Sequence, residues 1–283
     1  MGSKDDNTLL IRTMRADEIP LAVSWAAAEG WNPGVADAQC FAAAAGDGFL
    51  IGEIEGKPAA IISIVNYDDR FAFLGFYIVR PELRGQGLGL QIWQAALRQA
   101  GQRIIGLDGV VAQQANYRKS GFNLSHNNIR YGGVPAWRGA EGDTVALSDI
   151  PLEMIVAEDA RVFPADRAAF WQAWLDAPGH KGRALLRDGQ LAAWGVIRRS
   201  RTGRKVGPLV ADDRKSAEAV LAALIGEEEG EVFLDVPEPN SEAVTLATSY
   251  GLAPVFETAR MYTGPVRPIA LERVFGVTCF ELG

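Results

Sequence analysis

The chain has 283 residues, 48% of them hydrophobic and 22% charged, which is material for one large core or two smaller ones. A formal charge of −7 argues against a nucleic-acid binder, whose affinity comes from neutralising phosphates, and is compatible with a cationic small substrate. Two cysteines (Cys40, Cys279) and two histidines (His126, His180) rule out a disulfide framework and a Cys-based zinc site, and leave too little for a His metal site or a Ser-His-Asp triad. No apolar run reaches the ~18 residues of a membrane span. The opening "MGSKDDNTLL" is polar and has no signal-peptide core. The expected compartment is the cytoplasm, with neither membrane nor metal as a partner.

In chain order, "LLIRTMR" from Leu9 reads as a strand. "ADEIPLAVSWAAAEG" reads as a helix with Asp17 as a cap and Gly30 as its stop. "WNPG" is turn chemistry, and "VADAQCFAAA" is a second short helix. "GFLIGEIEG" and "KPAAIISIVNYDD" are strand-like runs around Gly56-Lys57, a hairpin signal. "FAFLGFYIV" at Phe71–Val79 is a more hydrophobic strand, expected at the centre of a sheet. A glycine-rich turn follows. Then comes a helix whose apolar positions Leu88, Ile92, Ala96 and Leu90, Trp93, Leu97 keep helical spacing. "RIIGLDGV" is a strand, "VAQQANYRKSG" a helix, and "FNLSHNNIRYGG" a strand.

The remainder repeats this order in weaker form: helix at "PADRAAFWQAWLDAPG", hairpin at "GRALLRDGQLAAWGVIRRSR", strand at "RKVGPLVA", helix at "DDRKSAEAVLAALIG". "EVFLDVPE", "NSEAVTLATSYG" and "LAPVFETARMYTG" then read as strand, helix and strand. Landmarks pair between the halves: "GLDG" around Asp108 with "FLDV" around Asp235, "KSGF" with "SYGL", and "IRYGG" with "ARMYTG". A repeat of about 130 residues is domain-sized and points to duplication of one α/β unit. The polar stretch Trp137–Thr144 is the expected linker, giving domains at 1–138 and 145–283. The alternative is one continuous α/β domain with coincidental likenesses.

Glycine costs about 1 kcal/mol relative to alanine inside a helix, so Gly85, Gly87 and Gly89 at a strand-to-helix junction need a reason. Close approach to an anion at a helix N-terminus supplies one. A Walker A loop is excluded because no Gly-Lys-Ser/Thr follows. A dinucleotide fingerprint fails because the position three beyond Gly87 is Leu90, although Asp108 stands where a ribose-binding acid would. "RPELRGQGLG" instead offers Arg84-x-x-Gly87-x-Gly89. Together with Tyr117-Arg-Lys-Ser-Gly121-Phe122, it resembles the acyl-CoA loop and catalytic tyrosine of the GNAT superfamily, the GCN-type N-acetyltransferases. The resemblance covers roughly Leu9–Gly133. The second half lacks both features: Asp212 and Asp213 stand where pyrophosphate would sit, and Ala247 stands where Tyr117 would.

The resemblance implies an α/β (α+β) fold of two tandem GNAT-like domains, each a mixed, mostly antiparallel twisted sheet flanked by helices, the C-terminal one degenerate. It implies acetyl-CoA as cosubstrate, no metal, and direct transfer of acetyl to a primary amine of a small molecule or peptide. The implied cofactor-binding residues are Arg84, Gly85, Gln86, Gly87, Leu88 and Gly89, with Gln113 and Asn116 beyond them. Backbone N–H groups around Ile78 and Val79 would face the thioester oxygen. Tyr117 is the implied donor to the departing thiolate, and Glu29 and Asp108 are candidate bases, each equally at home as a cap or solvated acid. Trp31 and Asp37 are candidate acceptor-site residues, and Asp235, Arg260 and Tyr262 are expected to close one side. His126 reads as structural. The pairing mimics a dimer within one chain, so a monomer is expected. A non-catalytic acyl-CoA sensor and a dinucleotide-dependent enzyme stay open as alternatives.

Overall fold

The computed structural model describes residues 9–136, 139, 142–226 and 228–283. The expected linker Trp137–Thr144 lies partly outside the described residues, as do residues 1–8. The first half runs β1 (Leu10–Thr13), α1 (Ile19–Ala28), α2 (Asp37–Ala45), β2 (Phe49–Ile54), β3 (Lys57–Asn66), β4 (Phe71–Val79), α3 (Leu88–Ala100), β5 (Ile104–Val110), α4 (Gln114–Lys119) and β6 (Asn123–Gly133). The second runs β7 (Thr144–Ala146), α5 (Leu152–Val162), α6 (Ala168–Asp176), β8 (Lys181–Arg187), β9 (Gln190–Arg199), β10 (Arg204–Ala211), α7 (Arg214–Ile225), β11 (Val232–Pro237), α8 (Ser241–Ser249) and β12 (Ala253–Tyr262), followed by β13 (Val274–Gly276). Element for element, the order is the same until β13. Sequence reading missed β7, α5 and β13. The two strands have three residues each, too short for an alternation to show.

The strands form one sheet in the order β1-β2-β3-β4-β5-β12-β6-β11-β10-β9-β8-β7, with β13 paired to β10. The last strand of each half has therefore crossed over. β12 of the second half pairs with β5 of the first, and β6 of the first pairs with β11 of the second. All pairings are antiparallel except β4–β5 and β10–β11. These two parallel pairs part early, after Leu74↔Leu107 and after Val206↔Leu234. Beyond each parting the outer strand bulges. Gly75 pairs with Ser63 and Ile78 with Ile61, so β4 spends one residue more than β3, at Phe76–Tyr77. Val206 pairs with Ile197 and Leu209 with Gly195, an equivalent bulge at Gly207–Pro208.

On one side of the sheet, α1 and α2 pack with α5 and α6 in a single core that holds Phe41, Ile155, Phe170, Trp171 and Trp174. Helix α3 buries Leu88, Ile92, Trp93 and Ala96 against the first half, while α7 and α8 cover the second. Leu90, placed by spacing on the apolar stripe of α3, is 60% exposed.

Two ion pairs repeat across the exchanged strands. Arg260 on β12 holds Asp108 on β5 in a fork, Nε–Oδ1 2.8 Å and Nη2–Oδ2 2.7 Å. Arg130 on β6 holds Asp235 on β11 likewise, at 2.6 and 2.9 Å. The duplicated landmarks in the sequence are thus the two members of one symmetric seam. Burial opposes ionisation of Asp235, but Arg130 and Lys205 outweigh it and hold that carboxyl down to about 2.

Candidate active site

The parting of β4 and β5 opens a cleft of about 490 Å³, lined by the β4 bulge, the glycine-rich loop, Tyr117 and residues of the second half. Gly85 and Gly87 have φ of 79° and 80°, where a side chain would be strained. A Cβ on Gly89 would lie 2.5 Å from the Tyr77 hydroxyl. Gly87 is the residue before α3, and no side chain caps that helix. Its first-turn N–H groups are left to a ligand, at the positive end of the helix dipole. Arg84 folds back from this loop: its Nε donates to the Val79 carbonyl at 2.9 Å and its Nη2 pairs with Glu29. Gln86 is exposed and Leu88 is buried in the α3 core, so these two bring only backbone to the loop.

The bulge decides which strand donors are open. Arg80 N–H donates to Ala59 O at 3.0 Å, so in the alternating antiparallel ladder Ile78 and Ile61 are the next hydrogen-bonded pair. The N–H of Ile78 is spent on β3, and that of Val79 is turned toward the cleft. Tyr117 stands opposite on α4, 7% exposed, its ring stacked on Trp93 at 5.4 Å. Burial, and then the neighbouring Tyr77, push its hydroxyl well above the ordinary phenol range. Gln113 lines the cleft and accepts from Asn116 Nδ2 at 2.9 Å; Asn116 itself is exposed outside the lining.

Glu29 and Trp31 also line the cleft. Asp37 does not. It is fully buried, accepting from Arg198 Nε at 2.9 Å and from the Gly34 N–H at 2.9 Å, which leaves it no face toward an acceptor. Beside it, burial and then Arg198 lower His180 to about 4, so its imidazole is neutral. Asp108 reaches the cleft wall, but its carboxylate is taken by Arg260 and by Asn128 Nδ2 at 2.8 Å. A carboxylate so bound is a strut rather than a free base. Asp235, Arg260 and Tyr262 do not line the cleft as expected. Asp235 and Arg260 are consumed by the seam, and Tyr262 packs toward Phe71. His126 is half-buried away from the cleft and held to about 3 by burial and then by Arg260.

The second half contributes residues that sequence reading did not single out: Phe256 and Thr258 of β12, and Phe280 and Glu281 of segment 277–283. The segment lies directly on β4, since a Cβ on Gly75 would fall 2.0 Å from the Glu281 carbonyl oxygen. Glu281 is 2% exposed, and neither carboxylate oxygen has a hydrogen-bond partner among the described residues. The Thr258 hydroxyl is likewise unpartnered. No motif marked them, because nothing local in "VTCFELG" shows which strand it will lie on.

The corresponding place in the second half is closed. Asp213 caps α7, its Oδ1 accepting from Ser216 N–H at 2.8 Å. Asp212 pairs with Arg273 at 2.7 Å. Strand β13 lies in the opening beside β10, and Val277 N–H donates to the Asp235 carbonyl at 2.8 Å. Among the described residues no cluster of His, Cys, Asp and Glu is fit to hold a metal, and no helix is long and apolar enough to cross a membrane.

One copy of a twice-repeated strand–helix unit thus keeps an uncapped helix end below parted strands, open to an anionic ligand. Residues 13–122 match the model of the acetyltransferase (GNAT) family, and residues 155–276 match that of an acetyltransferase (GNAT) domain. The chain belongs to the GNAT superfamily and is a GNAT-type acyltransferase with two domains in tandem. It is 29% identical over 271 residues to the holothin acyltransferase of a Pseudoalteromonas species, covering 94% of this chain and 92% of that protein. The fold is similar to that of a Pyrococcus horikoshii protein assigned as an acetyltransferase, with TM-score 0.83 at 22% identity over 100% of this chain and 98% of the other. It is also similar to a tandem GNAT protein from the clavulanic acid biosynthesis pathway, with TM-score 0.62 at 16% identity over 91% and 99% of the two chains.

Proposed function

We propose that this chain moves an acetyl group from acetyl-CoA to a primary amine of a small molecule or peptide, by direct attack, in the cleft of its first half alone. The observation that carries the reading is the contrast between the two helix ends: α3 is uncapped behind two left-handed glycines, whereas α7 is capped by its own Asp213. The GNAT family generally uses acetyl-CoA, and the residues present fit it. The backbone of Gly85 to Gly89 would hold the pyrophosphate, with Gln113 and Asn116 beside it. The open edges of β4 and β5 offer backbone partners to an amide-bearing arm.

In this reading Val79 N–H stabilises charge developing on the thioester oxygen. Tyr117 donates a hydrogen bond to the departing sulfur. It does not hand over its proton outright: a phenol near 10 and a thiol near 8.5 already make that uphill by about 2 kcal/mol, and burial adds to the gap. Arg84 and Glu29 brace the loop, and Trp31 forms one wall for the acceptor. The catalytic unit corresponds to residues 1–138 and the silent unit to 145–283, working as a monomer in the cytoplasm. Among relatives, the holothin acyltransferase gives direct support for acyl transfer.

The test is release of CoA from acetyl-CoA with a panel of primary amines, alongside calorimetry of acetyl-CoA binding. One site per chain and amine-dependent release are expected. Binding without turnover on any amine would make the chain a sensor instead, and no binding would remove the reading altogether.

A further inference from the structure

Glu281 presents an unusual combination. A carboxylate removed from water costs several kcal/mol unless its oxygens find donors. The other buried acids of this region have found theirs: Asp37 has Arg198, Asp108 has Arg260, and Asp235 has Arg130. Both oxygens of Glu281 are shielded and accept nothing among the described residues, and no cation lies within ion-pair distance of them. The residue nonetheless belongs to the cleft lining, laid across Gly75 where β4 begins to bulge toward Val79. Thr258, the second unspent polar group of this wall, comes from the same half of the chain. Around them stand Phe256 and Phe280, which exclude water and offer no donor. Arg130, Arg198 and Lys205 are near enough to act on Glu281 through space but donate no hydrogen bond to it, and a cationic amine supplies what the site lacks: N–H donors within reach.

We propose that Glu281, carried across from the second half, receives the acceptor ammonium and takes its proton before attack on the acyl carbon. This rests on the acyl-transfer reading above and names the residue that receives and deprotonates the acceptor in that same site. The ammonium proton passes to the Glu281 carboxylate and from there to solvent. The freed nitrogen forms the C–N bond as the C–S bond breaks, and its second proton ends on the departing sulfur, near Tyr117. The products are the amide, CoA thiol and one proton.

The charged and titratable groups that act on Glu281 are Arg130, Arg198, Lys205 and Cys279, and behind them Asp37 faces Arg198 while Asp235 faces Arg130 and Lys205. Burial pushes the Cys279 thiol up to about 12, so it stays protonated at working pH. Burial, and then Arg130, lower Lys205, so the ratio of variant to wild type is the readout rather than either profile alone.

The experiment compares wild type with Glu281→Gln and Glu281→Asp, using the best primary alkylamine from the panel and also hydroxylamine, which is already unprotonated at neutral pH. Thermal unfolding and acetyl-CoA binding are measured in parallel, together with alkylamine affinity for the protein–CoA complex. For Glu281→Gln we expect kcat/KM on the alkylamine at pH 7 to fall about 10²-fold or more. The gap should narrow as pH rises toward the amine's own pKa of about 10.4. Alkylamine binding to the CoA complex should weaken, hydroxylamine should lose only a few-fold, and acetyl-CoA binding should hold. Glu281→Asp, which keeps the charge at a shorter reach, should fall between. Equal loss on both acceptors at every pH, with a lowered unfolding temperature, would make Glu281 a structural counter-charge and overturn the proposal, as would no loss at all. If wild type acylates no amine, it is the underlying reading that fails.

Discussion

At β4–β5 the sheet parts after Leu74 and stays open; at β10–β11 it parts after Val206, and β13 lies in the gap. Both outer strands bulge just past the parting, and both are followed in the chain by a long helix. The difference lies in what fills the two positive or donor-rich places. In the first half they face a cleft. In the second, Asp213 takes the helix end, while β13 and the Val277 N–H take up backbone partners in the gap. The lesson is that the second half fills from its own chain the places that the first half leaves facing a cleft. The same segment that leaves the closed gap goes on to wall the open one, so the second half still contributes to the cleft of the first.

The comparison breaks most readily at Gly87. Gly87→Glu puts a side chain at φ 80° and a carboxylate where the pyrophosphate is expected, with no steric obstacle nearby. Strain and like-charge repulsion together should weaken acetyl-CoA binding about 10³-fold, read by calorimetry. Wild-type affinity in this variant would move the ligand elsewhere. Tyr117→Phe probes the next difference, since the second half has Ala247 at that place. The ring and its stack on Trp93 remain, so kcat should fall about 10²-fold with acetyl-CoA affinity unchanged. An unaltered kcat, measured where chemistry limits the rate, would make Tyr117 a packing residue.

The smallest effect is expected in the closed half. Asp213→Ala removes the α7 cap and should cost about 1 kcal/mol of stability. Turnover should be untouched, and binding should remain at one acetyl-CoA per chain because β13 still occupies the gap. A second site appearing in this variant would show that the cap alone, and not the strand, keeps the second half silent.

Sequence carried the element order well, because hydrophobic period and turn chemistry are local, and the duplication was visible in paired landmarks. That the loop Arg84–Gly89 and Tyr117 would come to one cleft was legible for the same reason: each is a short motif whose members meet without help from the rest of the chain. Asp37 and Asp108 were misread because their partners, Arg198 and Arg260, lie 161 and 152 residues away. An acid beside a predicted site looks identical whether it faces a ligand or a distant arginine. Glu281 was missed for the mirror-image reason: its place on β4 depends on two crossings of the chain that no window of residues contains. Ile78 and Val79 were identified together, and only the register of the bulge separates them.

The crossed-over strands also set a schedule for synthesis. A ribosome that has released residues up to β6 has not made a complete first sheet, for the neighbour of β5 is β12. Until β12 emerges, β5 keeps an unpaired edge, and β6 waits for β11, an invitation to wrong partners in a crowded cell. Phe280 and Glu281 are translated later still. The cleft that the first half begins is therefore not whole until the second half has been made through Glu281, and no acyl acceptor can find it complete before then.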